Sequence, residues 1–588
     1  MATPTPSPSA APGADAGLWM NQLLQAQQAL WQPYLTPPPL EPLGTASDPA
    51  SWTQATQALV DWQQQGWQQW ASLWLGALTG ATFAGFGGPA ATAPADRRFA
   101  GEAWQQDPRF DAISRTYLQQ SQAMRDALKA APLPERNKAQ WDFVLRQVLD
   151  AASPANCLLL NPVALKTAVD SGGASLVDGM RLFLEDFARG RVSMTDDTAF
   201  EVGRNVATTP GSVVFQNELI QLIQYAPTTA RVHKRPLVVV PPCINKFYIL
   251  DLQPENSLVA YAASQGHTVF LVSWRNIGPE QGHLGWDDYV ETGVMRALDV
   301  AREITRADKV NALGFCIGGT LLSSALAVLA QRDDASRGKV ASLTLLTTML
   351  DFSDTGELGL LVDERSTAQR ESTIGQGGVL RGAELAQVFA ALRANDLIWP
   401  YVVNGYLQGK APPAFDLLFW NGDDSNLPGP MFCWYLRNTY LENKLRQPGA
   451  TLQCGVPVDL STIGLPSFVY ASREDHIVPW RTAYASTGIL GGDTTFVLGA
   501  SGHIAGVINP PAKGKRSHWV GASGPGEITQ AQAWFDAAEE VPGSWWPRWS
   551  EWLGRHAGPE VAAPKSPGNA AHPAIEPAPG SFVRAKAP

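Results

Sequence analysis

From residue 236 onward, short apolar runs rich in Val, Leu, Phe and Thr recur at 236–240, 268–272, 309–313, 341–347, 466–471 and 494–498. Between them lie stretches whose apolar residues return every three or four positions. A short apolar run without polar alternation fits a strand buried on both faces. Such strands alternating with helical patterns predict a doubly wound, largely parallel sheet. Runs at 212–215 and 219–225 read as an antiparallel lead-in. The alternation stops between 351 and 445, which predicts an insertion forming a cap or lid over an active site. Upstream, residues 100–190 read as mostly helical, with periodic apolar positions at 139–149 and 175–187.

The two ends differ from this pattern. Residues 1–16 are rich in Ala, Pro and Thr, a composition that predicts disorder. Trp19, Leu23, Ala26 and Leu30 follow at helical spacing until Pro33 and the prolines at 37–39 stop them. Residues 52–75 set Trp52, Leu59, Trp62, Trp67, Trp70 and Trp74 among glutamines. That stretch reads either as a helix packed on its own protein or as a surface that docks on a partner or a hydrophobic particle. Residues 80–94 read as a Gly/Ala-rich linker, and 558–588 return to an Ala/Pro composition that predicts a mobile tail. The division that follows is 1–95 (disordered start and Trp-rich amphipathic helices), 96–200 (helical N-terminal domain), 201–557 (catalytic domain, insertion about 351–445) and 558–588 (tail).

Composition narrows the function classes. Of 588 residues, 45% are apolar and 17% charged, which fits a mostly globular chain. Net charge is −10 with dispersed basic residues, against a nucleic-acid partner. The start, Met1-Ala2-Thr3-Pro4, has neither a cationic nor an apolar signal region, so no signal peptide is expected. The longest apolar stretch, 73–86, is too short and too broken to span a bilayer. Five cysteines (157, 243, 316, 433, 454) with no C-x-x-C pair argue against a disulfide scaffold or a zinc site and fit a reducing cytoplasm.

The chemistry centres on residues 314–319, GFCIGG. This stretch follows the run 309–313 and opens the helical pattern 320–330, the strand–turn–helix context of a nucleophile elbow. The usual serine is replaced by Cys316, pointing to thiol-based acyl transfer. The expected fold is therefore α/β, an α/β-hydrolase fold with a cap insertion behind a mainly helical N-terminal domain. That fold orders its triad as nucleophile, acid, histidine. After Cys316 come His476, His503, His518, His556 and His572. His503, just past the run 494–498, takes the triad position; His476 reads as structural, His518 as a surface residue, and His572 falls in the tail. Asp475, just past the run 466–471, takes the acid position, with Glu474 and Asp459 as competitors. The oxyanion donors are expected to be the backbone N–H of Ile317 and that of Ile244 or Cys243, on the loop after 236–240.

Several blocks resemble those of one family: 242–252 (PCINKFYILDL), 314–319, 347–356 (TTMLDFSDTG), 419–428 (FWNGDDSNLP), 474–480 (EDHIVPW) and 501–511 (SGHIAGVINPP). Together they resemble the class I polyhydroxyalkanoate synthases over roughly residues 100–560, and the GFCIGG elbow is close to the form of the short-chain enzymes. The resemblance implies a Cys316–Asp475–His503 triad and a substrate that is an (R)-3-hydroxyacyl-CoA of three to six carbons, chiefly the 3-hydroxybutyryl ester. It also implies a growing polyester held as a thioester on Cys316, with Asp475 either orienting His503 or helping to deprotonate the substrate 3-hydroxyl. No separate cofactor or metal is implied, since coenzyme A arrives with the substrate and leaves as product. A homodimer at the surface of cytoplasmic polymer granules, beside granule-associated proteins, is expected by the same resemblance. The alternatives are a cysteine-dependent hydrolase or depolymerase of the same fold, or a non-catalytic granule scaffold.

Overall fold

The computed structural model describes residues 96–332, 338–522 and 524–587. The Trp-rich stretches and the 80–94 linker lie outside the described residues. Two compact units emerge: the chain up to Ser175 with Ala394–Trp399, and Leu176–Arg393 with Pro400–Pro588.

The first unit is helical. Pro108–Ala130 starts cleanly because Asp107 accepts from the Arg109 N–H and Pro108 gives up no hydrogen bond at the first position. Glu135–Ala151 runs beside it, and the Tyr117 hydroxyl donates to the Leu149 carbonyl at 2.8 Å. Phe99, Trp104 and Tyr117 meet edge to face, with centroids 4.8 and 5.7 Å apart.

In the second unit, eleven strands among the described residues form one sheet. They are β1 (Gly211–Gln216), β2 (Ile220–Tyr225), β3 (Leu237–Val240), β4 (Val269–Trp274), β5 (Val310–Phe315), β6 (Val340–Leu346), β7 (Ser467–Ser472), β8 (Thr494–Gly499), β9 (Ser517–Val520), β10 (Glu539–Pro542) and β11 (Glu576–Pro577). The order is β10-β9-β8-β7-β6-β5-β3-β4-β2-β1-β11. The pairs from β4 through β3, β5, β6 and β7 to β8 are parallel, and the flanks on both sides are antiparallel. β3, β4, β5 and β7 are buried along their whole length, which explains their unbroken apolar runs. Two buried polar pairs cross this region: Ser342 Oγ donates to Asn311 Oδ1 at 2.7 Å, and Trp549 Nε1 to Thr344 Oγ1 at 3.1 Å. No strand of this sheet lies between Leu346 and Ser467; mostly short helices fill the interval.

Three expectations need correction. Of the segment 558–588 expected to be a mobile tail, residues 558–587 are ordered. Glu560–Ala562 pairs with Arg231–His233, β11 pairs with β1, and Phe582 and Val583 are buried. Main-chain pairing and a few apolar anchors hold this segment, and an Ala/Pro composition hides both. His572 is accordingly buried, with Nε2 2.5 Å from Glu303 Oε2. His518 is not a surface residue: it sits in β9, only 4% exposed, with Nδ1 3.1 Å from the Gly543 carbonyl. The periodic positions at 175–187 do form the helix Ala174–Arg189, but Val177, Met180, Leu184 and Phe187 face solvent. Its inner face is set instead by Gly179 against the Tyr406 backbone and by Asp186, which accepts from the Tyr406 hydroxyl at 2.7 Å.

Candidate active site

β5 ends at Phe315 and the helix Ile317–Arg332 begins two residues on, so Cys316 alone turns the corner, at φ 54°. A non-glycine residue in that region stores roughly 1–3 kcal/mol of strain, so its surroundings must fix it. The Cys316 N–H donates to the Leu346 carbonyl at 2.9 Å. Its carbonyl accepts from the Gly319 N–H at 2.9 Å and from Thr348 Oγ1 at 3.2 Å. The glycines serve close approach: a methyl on Gly318 would strike the Val240 and Pro241 carbonyls, and one on Gly319 the Thr348 side chain. The Ile317 N–H heads the helix, where first-turn donors have no intrahelical acceptor.

Asp475 follows β7, and His503 opens the short helix His503–Val507 after β8. His503 Nδ1 lies 2.6 Å from Asp475 Oδ2, with the side chains 5% and 0% exposed. Asp475 Oδ1 accepts from the N–H groups of Ile477 and Val478 at 2.8 and 2.9 Å, which fixes the carboxylate. The His503 ring stacks on Phe315, centroids 5.6 Å apart. Burial disfavours its imidazolium, but the Asp475 charge, the Cys316 charge and hydrogen bonds to both raise its pKa to about 10. Because Asp475 occupies Nδ1, Nε2 is the ring nitrogen left for the hydrogen bond to the Cys316 side chain.

The competing acids separate here. Glu474 is exposed, and Asp459 caps a turn by accepting from the Ser461 N–H at 2.9 Å. His476 lies half-buried beside Asp475, and burial above all pulls its pKa down to about 4, so its ring is neutral. Cys243 and Ile244 follow β3, beside the Val240 and Pro241 carbonyls on which the elbow rests. Cys243 is buried, and burial, with a smaller push from the Cys316 charge, keeps its thiol protonated. Tyr435 and Tyr440, from the helical interval between β6 and β7, sit close enough for the Cys316 charge to add to burial in raising their phenol pKa values. Their rings and that of Phe352 pack edge to face at 5.2–6.1 Å.

One support of the site went unread in the sequence. Trp545 Nε1 donates to the Gly506 carbonyl at 3.1 Å and Trp546 Nε1 to the Val507 carbonyl at 2.9 Å. These are the last carbonyls of the helix that begins at His503, which a five-residue helix cannot satisfy itself. The helical spacing of Trp545, Trp549 and Trp552 was the available signal for a buried face there.

A parallel sheet with an elbow after a central strand, and a carboxylate–histidine pair after two later strands, defines the α/β-hydrolase class. The family described as alpha/beta hydrolase fold matches residues 236–510, and the one described as Poly-beta-hydroxybutyrate polymerase (PhaC) N-terminus matches 95–262. The chain is 52% identical to "Poly(3-hydroxyalkanoate) polymerase subunit PhaC" of Cupriavidus necator, over 91% of this chain and 89% of the relative. It is 41% identical to "Poly(3-hydroxyalkanoate) polymerase" of Methylorubrum extorquens, over 91% and 88%. It is also 41% identical to the Rhizobium meliloti protein "Poly(3-hydroxyalkanoate) polymerase subunit PhaC", over 84% and 80%. The chain therefore belongs to the poly(3-hydroxyalkanoate) polymerase family and is an acyltransferase. Among the described residues no helix is long and apolar enough to cross a membrane, and no group of three His, Cys, Asp or Glu side chains could hold a metal.

Proposed function

We propose that the protein polymerises (R)-3-hydroxyacyl-CoA esters of three to six carbons, chiefly 3-hydroxybutyryl-CoA, through a covalent thioester on Cys316. The observation that carries this reading is a strained elbow cysteine facing a buried histidine that is held 2.6 Å from a carboxylate. Cys316 attacks the thioester carbonyl as a thiolate, its proton already held by His503 as the imidazolium. The Ile317 N–H, with that of Ile244 or Cys243, stabilises the oxyanion. The bond to the coenzyme A sulfur breaks, and His503 returns the proton to that leaving thiolate. Exchange of one thioester for another is nearly isoenergetic, which suits a cysteine better than a serine.

Elongation follows when the 3-hydroxyl of a further substrate or chain attacks the acyl group on sulfur, its proton passing to His503 or Asp475. Coenzyme A needs no separate cofactor site, since it enters with the substrate and leaves as product. The interval between β6 and β7 acts as the cap, with Tyr435 and Tyr440 lining the acyl path. The polymer accumulates as granules in the cytoplasm, with a homodimer at their surface and the Trp-rich residues 52–75 meeting the polymer or granule proteins.

Purified protein should release free thiol from C3–C10 3-hydroxyacyl-CoA esters, fastest at the short end, with an insoluble product. Soluble 3-hydroxy acid as the only product would replace this reading with hydrolysis. Unchanged coenzyme A release by Cys316→Ala would remove the thioester mechanism.

A further inference from the structure

The C-terminal segment crosses loops that border the site. Phe582 is its anchor: its N–H donates to Gln221 Oε1 at 3.1 Å, and the Arg275 guanidinium lies 4.0 Å over its ring. Three residues on, the Ala585 carbonyl accepts from Lys246 Nζ at 2.6 Å and from Asn276 Nδ2 at 3.2 Å. Lys586 Nζ forms an ion pair with Asp423 Oδ1 at 2.9 Å and sits 5.2 Å over the Phe419 ring. These contacts reach three loops: Lys246 lies on the loop after β3, Asn276 on the loop after β4, and Asp423 in the interval between β6 and β7.

The same loops bond to one another beneath the segment. Trp420 Nε1 donates to the Lys246 carbonyl at 2.6 Å, the Tyr248 hydroxyl to Asp423 Oδ2 at 2.9 Å, and the Asn426 N–H to Asn276 Oδ1 at 3.0 Å. Lys246 is 3% exposed and Asp423 2% exposed. A buried ammonium needs an acceptor, and the Ala585 carbonyl supplies it from outside the loop. Burial pulls the Lys246 pKa down to about 8, while the charge of Asp423 draws it the other way. Without Ala585 the ammonium loses this acceptor, while the charge of Asp423 still draws on it.

We infer that residues 582–586 form a strap that positions the 243–246 loop, with Lys246 as the positioning residue, so that acyl transfer to Cys316 depends on the C-terminal segment. The inference rests on the proposed oxyanion role of that loop. A displacement of about 1 Å in such a donor can cost roughly 100-fold in rate.

The test compares the full chain with a chain ended after Arg584, which keeps the Phe582 anchor, and with Lys246→Met, which removes the buried charge. First-turnover coenzyme A release from 3-hydroxybutyryl-CoA is followed per titratable Cys316, beside KM and the thermal midpoint. The shortened chain should acylate roughly 10- to 100-fold more slowly with KM within about twofold. Adding Lys246→Met to it should recover part of that loss, because no ammonium is then left without an acceptor. A normal first-turnover rate per active site in the shortened chain, even with a lowered thermal midpoint, would reduce the strap to a structural element. Equal losses with and without Lys246→Met would equally overturn the role of Lys246. Cys316→Ala run alongside separates the two readings: coenzyme A release by that variant sinks the thioester mechanism, whereas an inert Cys316→Ala with a normal shortened chain sinks only the strap.

Discussion

Replacing Asp475 with asparagine changes one atom of a buried carboxylate and should remove most of the activity. The amide oxygen of Asp475→Asn can still accept from Ile477 and Val478, so the loop keeps its anchors. The new amide N–H₂ then faces His503 Nδ1, which must become an acceptor. The ring proton moves to Nε2 and points at Cys316, so the imidazole cannot take the proton of the thiol. By analogy with other triads in which this exchange fixes the wrong tautomer, kcat should fall about 10³- to 10⁴-fold. The charge argument gives a second readout. The rise of the His503 pKa from 6.5 to about 10 corresponds to about 5 kcal/mol favouring the imidazolium, and Asp475 is its largest favourable cause. In Asp475→Asn the pKa should fall back toward the ordinary histidine range.

A raised histidine pKa stabilises the fold fully below the unfolded value near 6.5, and that contribution is lost as the pH climbs through about 10. The stability gap between the wild type and Asp475→Asn should therefore shrink between pH 7 and pH 10. The assays are coenzyme A release, carbon-13 NMR of labelled histidine, and urea unfolding across that range. A variant within tenfold of wild-type activity whose His503 titration is unmoved would refute the reasoning.

Two further predictions concern support of the fold and site. Trp546→Phe leaves the Val507 carbonyl without its 2.9 Å donor, which should cost about 1–3 kcal/mol in urea unfolding and lower kcat more than it raises KM; a loss confined to KM would break the link to His503. Asp251, which accepts from Thr209 and Ser257 at 2.5 and 2.7 Å, has its pKa raised by burial from 3.8 to about 6, so it weakens the fold as the pH rises through that interval. Asp251→Asn should gain about 2 kcal/mol relative to wild type between pH 4 and pH 7 in guanidinium unfolding, and a gap independent of pH would contradict the buried-carboxylate account.

The local sequence carried the strand–turn–helix at Cys316 because three signals coincide there: an unbroken apolar strand, glycines where neighbouring backbone leaves no room, and a helical period directly after. It also carried the order of Asp475 and His503, since each sits one loop past a strand with its own apolar run. It placed Asp475 in the acid position but left Glu474 and Asp459 as competitors, because which carboxylate points at the imidazole is decided across 28 residues of chain. The C-terminal segment was misread because its order comes from partners more than 300 residues away, such as Lys246 with Ala585, and not from its own composition. The tryptophans under the His503 helix escaped for the same reason. Periodicity and glycine placement are properties of neighbours in the chain and so are written in the sequence; burial, ion pairing and the satisfaction of orphaned carbonyls are properties of neighbours in space, which only the folded sheet brings together.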